Sequence, residues 1–267
     1  MLTKLLKYEW KTTARVLLPI GGGVLIFTIF TGLANMLLNC QSNLPDMVAF
    51  FQAMLNMIAV LVWIFLLAAC VFVNVRQFYK LLGEQGYLML SLPAATWKHM
   101  AAKLICACAW SVIGGAFLIL CGCILNMSFG GMSLNAGDSM AGLQPGILAP
   151  LCLVMLFLLA LLAGTYLDFY LACGIGGQFG QQRLLASIIA YFVLGFIEQI
   201  LSTVLMMMAV FAWVAADGAA WMQFLYSVDS FWANIYLLLI LLAFVLVLDA
   251  IKWAITQWLM TRRLNLA

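Results

Sequence analysis

The stretch that decides the fold covers residues 47–75, MVAFFQAMLNMIAVLVWIFLLAACVFVNV. It holds no charged residue, and its apolar side chains follow one another without the alternation of a barrel strand. A helix needs about 20 such residues to cross the hydrocarbon core of a bilayer. This stretch therefore predicts a transmembrane helix.

Five further apolar runs are also long enough to cross a bilayer, at residues 16–38, 104–127, 147–173, 184–213 and 231–259. Of 267 residues, 67% are hydrophobic and only 8% are charged, whereas soluble domains average about 25% charged. So few charges cannot cover a water-facing surface, and we expect the lipid bilayer to be the main solvent. The predicted fold class is an all-α polytopic membrane protein. One transmembrane domain spans residues 1–267, with six transmembrane helices and an N-terminal interfacial amphipathic helix at 1–15.

The N-terminal segment is predicted to lie in the membrane interface. On a helical wheel of about 100° per residue, its cations fall within roughly a quarter turn, and its leucines and Trp10 fall opposite. Such a helix places its cations near anionic headgroups; they are Lys4, Lys7, Lys11 and Arg15. Glu9 falls within the apolar arc. It is either a solvated charge or a carboxylate that ties this helix to the connection before the third span.

The basic residues predict the orientation. All twelve Lys and Arg lie before the first span, between spans two and three, between four and five, or at the inner end of span six. The other three connections carry Asp46, Asp138, Asp217 and Asp229 and no basic residue. The positive-inside rule therefore predicts a multi-pass protein of the cell membrane with both termini in the cytoplasm. The net charge of +3 reflects this topology, and no nucleic-acid partner is expected.

Motifs for catalysis are missing from the sequence. The single histidine, His99, excludes an HExxH zinc site, and there is no GxSxG elbow and no GxxxxGK[ST] phosphate loop. We therefore expect no enzyme activity, no metal and no cofactor in this chain. The eight cysteines are interpreted as small apolar residues that fill gaps between helices.

The connection of residues 76–103 carries the richest local signals. Its central part can form a short amphipathic helix that Pro93 terminates, and Thr96 can cap the helix that follows. Seven residues of this connection are candidates for contact with a partner: Gly83, Glu84, Gly86, Tyr87, Leu88, Leu90 and Pro93. The alternative is an ordinary interfacial loop whose apolar residues dip into lipid.

Polar residues also occur inside the spans. Gln52, Asn56 and Trp63 share one stripe of span two, and Ser187, Tyr191, Gly195, Glu198 and Ser202 share one stripe of span five. Asp168 lies near the inner end of span four. In span six, Asp249 and Lys252 are three residues apart and are predicted to pair along the helix.

Two of these segments resemble type 2 ABC transporter permeases. The opening KLLKYEWK at residues 4–11, with Arg15, Leu18 and Pro19 behind it, is similar to the start of many such chains. So are Phe78-Tyr79-Lys80, the sequence GEQGYLMLSLP at 83–93, and Lys103. One departure is Ala102, where the pattern has a small hydroxyl residue.

The resemblance implies a half-transporter. Two permease chains, identical or related, would join two separately encoded ATPase subunits, which bind ATP and Mg²⁺. The N-terminal helix and the segment of residues 83–93 would meet the ATPase. Spans two and five would line the translocation path, with the residues Gln52, Asn56, Trp63, Tyr191, Glu198 and Ser202. The expected cargo of the exporter is a peptide, a lipid or a hydrophobic small molecule.

Two other functions fit the residues. One is an ATP-independent carrier or channel in which Glu198 and Asp168 handle protons or ions. The other is a membrane scaffold or immunity protein that transports nothing.

The topology can be tested with single cysteines introduced into a variant that lacks the native ones. In intact cells, a membrane-impermeant maleimide should label cysteines at positions 138 and 217 and spare those at positions 84 and 262. Labelling at position 84 or 262 before cell lysis would contradict the predicted orientation.

Overall fold

The chain is helical throughout the part that the computed structural model describes, which comprises residues 2–39, 46–82, 96–128, 148–179, 182–215 and 230–262. Six helices follow one another along the sequence. They are α1 (Leu2–Asn39), α2 (Asp46–Leu82), α3 (Thr96–Ser128), α4 (Leu148–Gly176), α5 (Arg183–Ala215) and α6 (Ser230–Arg262). The predicted coupling segment of residues 83–93 lies outside the described residues, as do Asp138, Asp217 and Asp229.

All six helices are long and apolar enough to cross a membrane, as the sequence predicted. Their lengths run from 29 residues in α4 to 38 in α1, or about 44 to 57 Å at 1.5 Å per residue. This exceeds the roughly 30 Å of hydrocarbon in a bilayer. A helix satisfies its backbone hydrogen bonds internally, which lipid requires of any segment exposed to it. The protein is a multi-pass membrane protein.

The first helix differs from expectation in one respect. The predicted interfacial segment of residues 1–15 and the first span form one continuous helix, α1, with Pro19 in its interior. In addition, the arc around Glu9 packs against protein: Glu9, Thr13 and Leu17 are buried, whereas Lys7 and Lys11 are exposed. Leu17 and Leu6 contact a core made with Cys70, Cys106 and Trp110. An amphipathic helix that lays this arc into lipid is therefore not observed, and a location at the interface stays a prediction.

The chain forms two compact units. The first comprises Met1–Gln77 and Lys98–Gly142, and the second comprises Phe78–Trp97 and Leu143–Ala267. The first unit holds α1 with most of α2 and α3, and its core lies where these three helices meet. In the second unit, α4 packs against both α5 and α6.

Gly176 permits the tight connection between α4 and α5. The helix ends there, and the chain turns with hydrogen bonds from Gly177 N to Cys173 O and from Phe179 N to Gly176 O. Residues 177–179 thus form a turn after α4. A Cβ atom on Gly176 would lie 2.7 Å from the backbone nitrogen of Ser187 and 2.8 Å from the carbonyl oxygen of Arg183.

We expect Gly176→Ala to destabilise the protein by about 1–3 kcal/mol, because the added methyl group meets backbone atoms that cannot rotate away. The matched control is Gly195→Ala on α5, where a Cβ atom would meet nothing within 4 Å. Thermal unfolding of the two purified variants in detergent provides the measurement. Equal melting temperatures for the two variants would contradict the proposed role of Gly176.

Candidate functional site

The second unit holds a network of charges in the interior of its helices. Lys252 of α6 places its Nζ atom 2.8 Å from Oδ1 of Asp168 on α4, and it also forms an ion pair with Oε1 of Glu198 on α5. The side chains of Lys252 and Asp168 are 16% and 17% exposed, and that of Glu198 is 38% exposed. One ammonium group therefore joins three helices.

Lys252 does not pair with Asp249, contrary to the prediction from their spacing. The ammonium reaches across to Asp168 and Glu198, on two other helices. Asp249 is buried against Gly164 of α4, where its Oδ1 atom occupies the space that a side chain would need: a Cβ atom on Gly164 would lie 2.7 Å from it. Asp249 thus packs against α4, and Lys252 binds carboxylates on two other helices instead of Asp249 on its own.

A cavity of about 270 Å³ lies beside this network. Its polar wall comes from α5 and α6, with Glu198, Gln199, Ser202, Asp249 and Lys252. The remaining wall is apolar, apart from the backbone at Gly195, and comes from Leu161, Leu201, Phe244, Val245 and Leu248. The site therefore combines a charged end and an apolar end within one small space.

The charged residues of the network lie well inside the helices that cross the membrane. Asp168 lies roughly two turns inside the end of α4, and Lys252 lies about three turns inside the end of α6. Ionisable residues within membrane spans are expensive, and they commonly mark substrate, ion or proton pathways. Three carboxylates stand near one cation here, so the cluster carries an excess of negative charge when all its groups are ionised.

Among the residues predicted to line a path, those of span five divide between two environments. Glu198 and Ser202 come together at the cavity, where the Ser202 hydroxyl group donates to the carbonyl oxygen of Gln199 in its own helix at 3.0 Å. Tyr191 lies outside the residues that line the cavity and stacks on Phe169 of α4, with ring centroids 4.5 Å apart.

The residues predicted from span two belong to the first unit, and two of them bond to α1. The Asn35 side chain donates to Oδ1 of Asn56 at 2.8 Å, and the Trp63 indole donates to the Thr28 hydroxyl group at 3.1 Å. Gln52 also has an interaction partner. Asn56 and Trp63 therefore contribute to the contact between α1 and α2, and the role of all three residues in a path stays a prediction.

A second charge pair is buried in the first unit. Lys103 of α3 places its Nζ atom 2.8 Å from Oε1 of Glu9 on α1, and both side chains are only 8% exposed. One helical turn along α1, the Thr13 hydroxyl group donates to the Glu9 carbonyl oxygen at 2.9 Å and accepts from the Gln77 side chain at 3.0 Å. Glu9 thus has a partner beyond its own helix, as one interpretation of the sequence held. That partner lies within α3 and not in a loop.

Metal and disulfide chemistry find no support in the described part of the chain. No group of three His, Cys, Asp or Glu residues there could hold a metal ion. The seven cysteines of the described helices are free thiols.

Sequence reasoning missed two sets of functional residues. The first is the contact of Lys252 with Asp168 and Glu198, because nothing in the sequence brings α4, α5 and α6 together at these positions. The second is the buried polar face of α1 at Thr28, Thr31 and Asn35. Its helical spacing in the first span was a usable signal.

No protein-family model, curated protein or solved structure matches this chain. Function is therefore argued from the residues and their contacts.

The Glu9–Lys103 pair can be tested by a double-mutant cycle. Glu9→Gln and Lys103→Met should each destabilise the protein by about 3 kcal/mol, because each leaves a buried charge without its partner. The double variant should recover part of this loss. The measurement is thermal unfolding in detergent.

Lys11→Met is the matched control, since Lys11 lies on the exposed face of the same helix. It should change stability by less than about 0.5 kcal/mol. Additive losses in the double variant would show that the pair contributes no coupling.

Proposed function

We propose that this chain is the membrane-spanning permease subunit of an ABC exporter in the cell membrane, with both termini in the cytoplasm. Two permease chains, identical or related, form the translocation path. Separate ATPase subunits bind ATP and Mg²⁺ and drive the export of a peptide, a lipid or a hydrophobic small molecule. The observation that supports this proposal most directly is the buried ion pair between Glu9 and Lys103.

That pair joins the two segments of sequence that carry the resemblance to type 2 ABC permeases. Glu9 lies in the segment of residues 4–19, and Lys103 closes the segment of residues 78–103. An ATPase that pushes on residues 83–93 would act directly on α2 and α3, which flank this connection. The Glu9–Lys103 pair would pass the push to α1 as well.

The exposure of α5 supports assembly with a second permease chain. None of the membrane-spanning stretch of α6 and only 6% of that of α5 is buried within one chain. Large apolar side chains such as Phe192, Phe196 and Met206 are exposed along it. Glu198 and Ser202 lie on the same helix beside the cavity. A dimer with α5 near the shared axis would cover this surface and place the charge network next to the path.

The alternative function is an ATP-independent carrier coupled to protons or ions. The contact of Lys252 with Asp168 and Glu198 favours it, because lysine–carboxylate pairs inside membranes commonly serve as proton or ion relays. The same contact is compatible with the lining of an export path. The dependence of transport on ATP distinguishes the two functions.

The exporter function can be tested by capturing the tagged chain from its native membrane and identifying any ATPase subunit that co-purifies with it. We expect a stable complex whose ATP hydrolysis is stimulated by transport. Tyr87→Asp should lower coupled transport about tenfold or more, because a charge disrupts an apolar groove contact. Insertion of the chain should be unaffected.

Tyr87→Phe is the matched control and should retain transport, since it keeps the apolar ring. If Tyr87→Asp binds the ATPase and transports normally, the coupling role of residues 83–93 is wrong. Flux driven by a proton gradient without ATP, and lost in Glu198→Gln, would establish the carrier instead.

A further inference from the structure

We infer that the cavity between α4, α5 and α6 binds a small amphiphile with a protonated amine, and that Glu198 and Asp249 are the counterions of this amine. The inference deepens the proposed function and rests on it for the physiological role, since the amine would be the class of molecule exported. Binding itself requires only the second unit.

The negative charges of the network outnumber its one cation. Lys252 has a partner of its own in Asp168, at 2.8 Å. Glu198 shares that same ammonium group, and Asp249 stands near it without an ion pair. The cluster therefore has room for a second cation. A second cation would neutralise part of the negative charge that remains on these carboxylates.

The burial and the contacts of Asp249 also favour a bound cation. This residue is only 9% exposed and lines the cavity. Within the described ranges, its carboxylate forms no ion pair. A buried carboxylate without an ion-pair partner costs free energy that a bound ammonium group would offset.

The contact of Lys252 with Glu198 also indicates a site for a cation. An ammonium group from the chain already binds Glu198 at the edge of the cavity, so the position suits this kind of cation. Lys252 can keep Asp168 as its partner when a ligand takes over Glu198. The lysine therefore acts as a tethered competitor of the ligand.

The apolar wall and the volume of the cavity suit the rest of such a ligand. Leu161, Phe244 and Leu248 face the same space as the charged groups. A volume of about 270 Å³ is near the lower limit for small-molecule sites, which run from about 300 Å³ upward. A compact aromatic or aliphatic amine therefore matches the site in charge, polarity and size.

The experiment measures binding of 2-phenylethylamine to the full chain in lipid nanodiscs at pH 7, by calorimetric titration with empty nanodiscs as the blank. We expect saturable binding of one amine per chain. The neutral analogue 2-phenylethanol, which has the same ring and length, should show no saturable binding. No ATPase is present, so failure here is separate from failure to capture an ATPase.

Three variants and one control assign the site. Glu198→Gln and Asp249→Asn should each weaken binding about tenfold, because each removes a charged acceptor. Lys252→Met should tighten binding several-fold, because it removes the competing cation. Asp217→Asn neutralises a carboxylate outside the predicted spans and should change nothing. Size-exclusion profiles and melting curves establish which variants are folded.

The outcomes separate clearly. Opposite effects of the acidic variants and Lys252→Met support the site. If a variant does not fold, the comparison of amine with alcohol on the wild-type chain decides. Absent amine binding, equal binding of the alcohol, or unchanged affinity in both acidic variants would overturn the inference.

Discussion

Lipid offers no hydrogen bonds, so every backbone polar group exposed to it must find its partner within the chain. This constraint explains why the described chain is almost entirely helix, since helices satisfy the backbone internally. It also governs the side chains. A charged group on one helix needs a partner on another, and the contact fixes which faces meet. Lys252 illustrates this, because its partners lie on α4 and α5 while it belongs to α6.

The two units meet this constraint with different chemistry. In the second unit, Glu198 of the exposed helix α5 forms an ion pair with Lys252 of α6. The first unit buries a complete pair, Glu9 with Lys103, beside neutral contacts such as Asn35 with Asn56. Neutral side-chain pairs cost less to bury than ions do. Ion pairs retained at buried positions therefore invite a functional explanation, and the proposals for coupling and for ligand binding rest on them.

Small residues decide how closely these helices approach. Gly164 makes room for the Asp249 carboxylate, and Gly176 makes room for the backbone at the start of α5. Both glycines lie on α4, which packs against its two neighbours in the second unit. The placement of Asp249 beside the cavity follows from the first of these contacts. An acidic residue thus becomes part of a site because a glycine on another helix admits it.

The sequence by itself determined the number and the order of the six helices, because long apolar runs admit no other structure in lipid. It also singled out Glu9 within an apolar arc and Glu198 within a span. Only the tertiary structure decided which partners they have. Local spacing favoured a pair between Asp249 and Lys252, but a contact along one helix is weak. Carboxylates on facing helices, brought close by packing around α4, offered Lys252 stronger contacts, and no periodicity within a single helix encodes that choice.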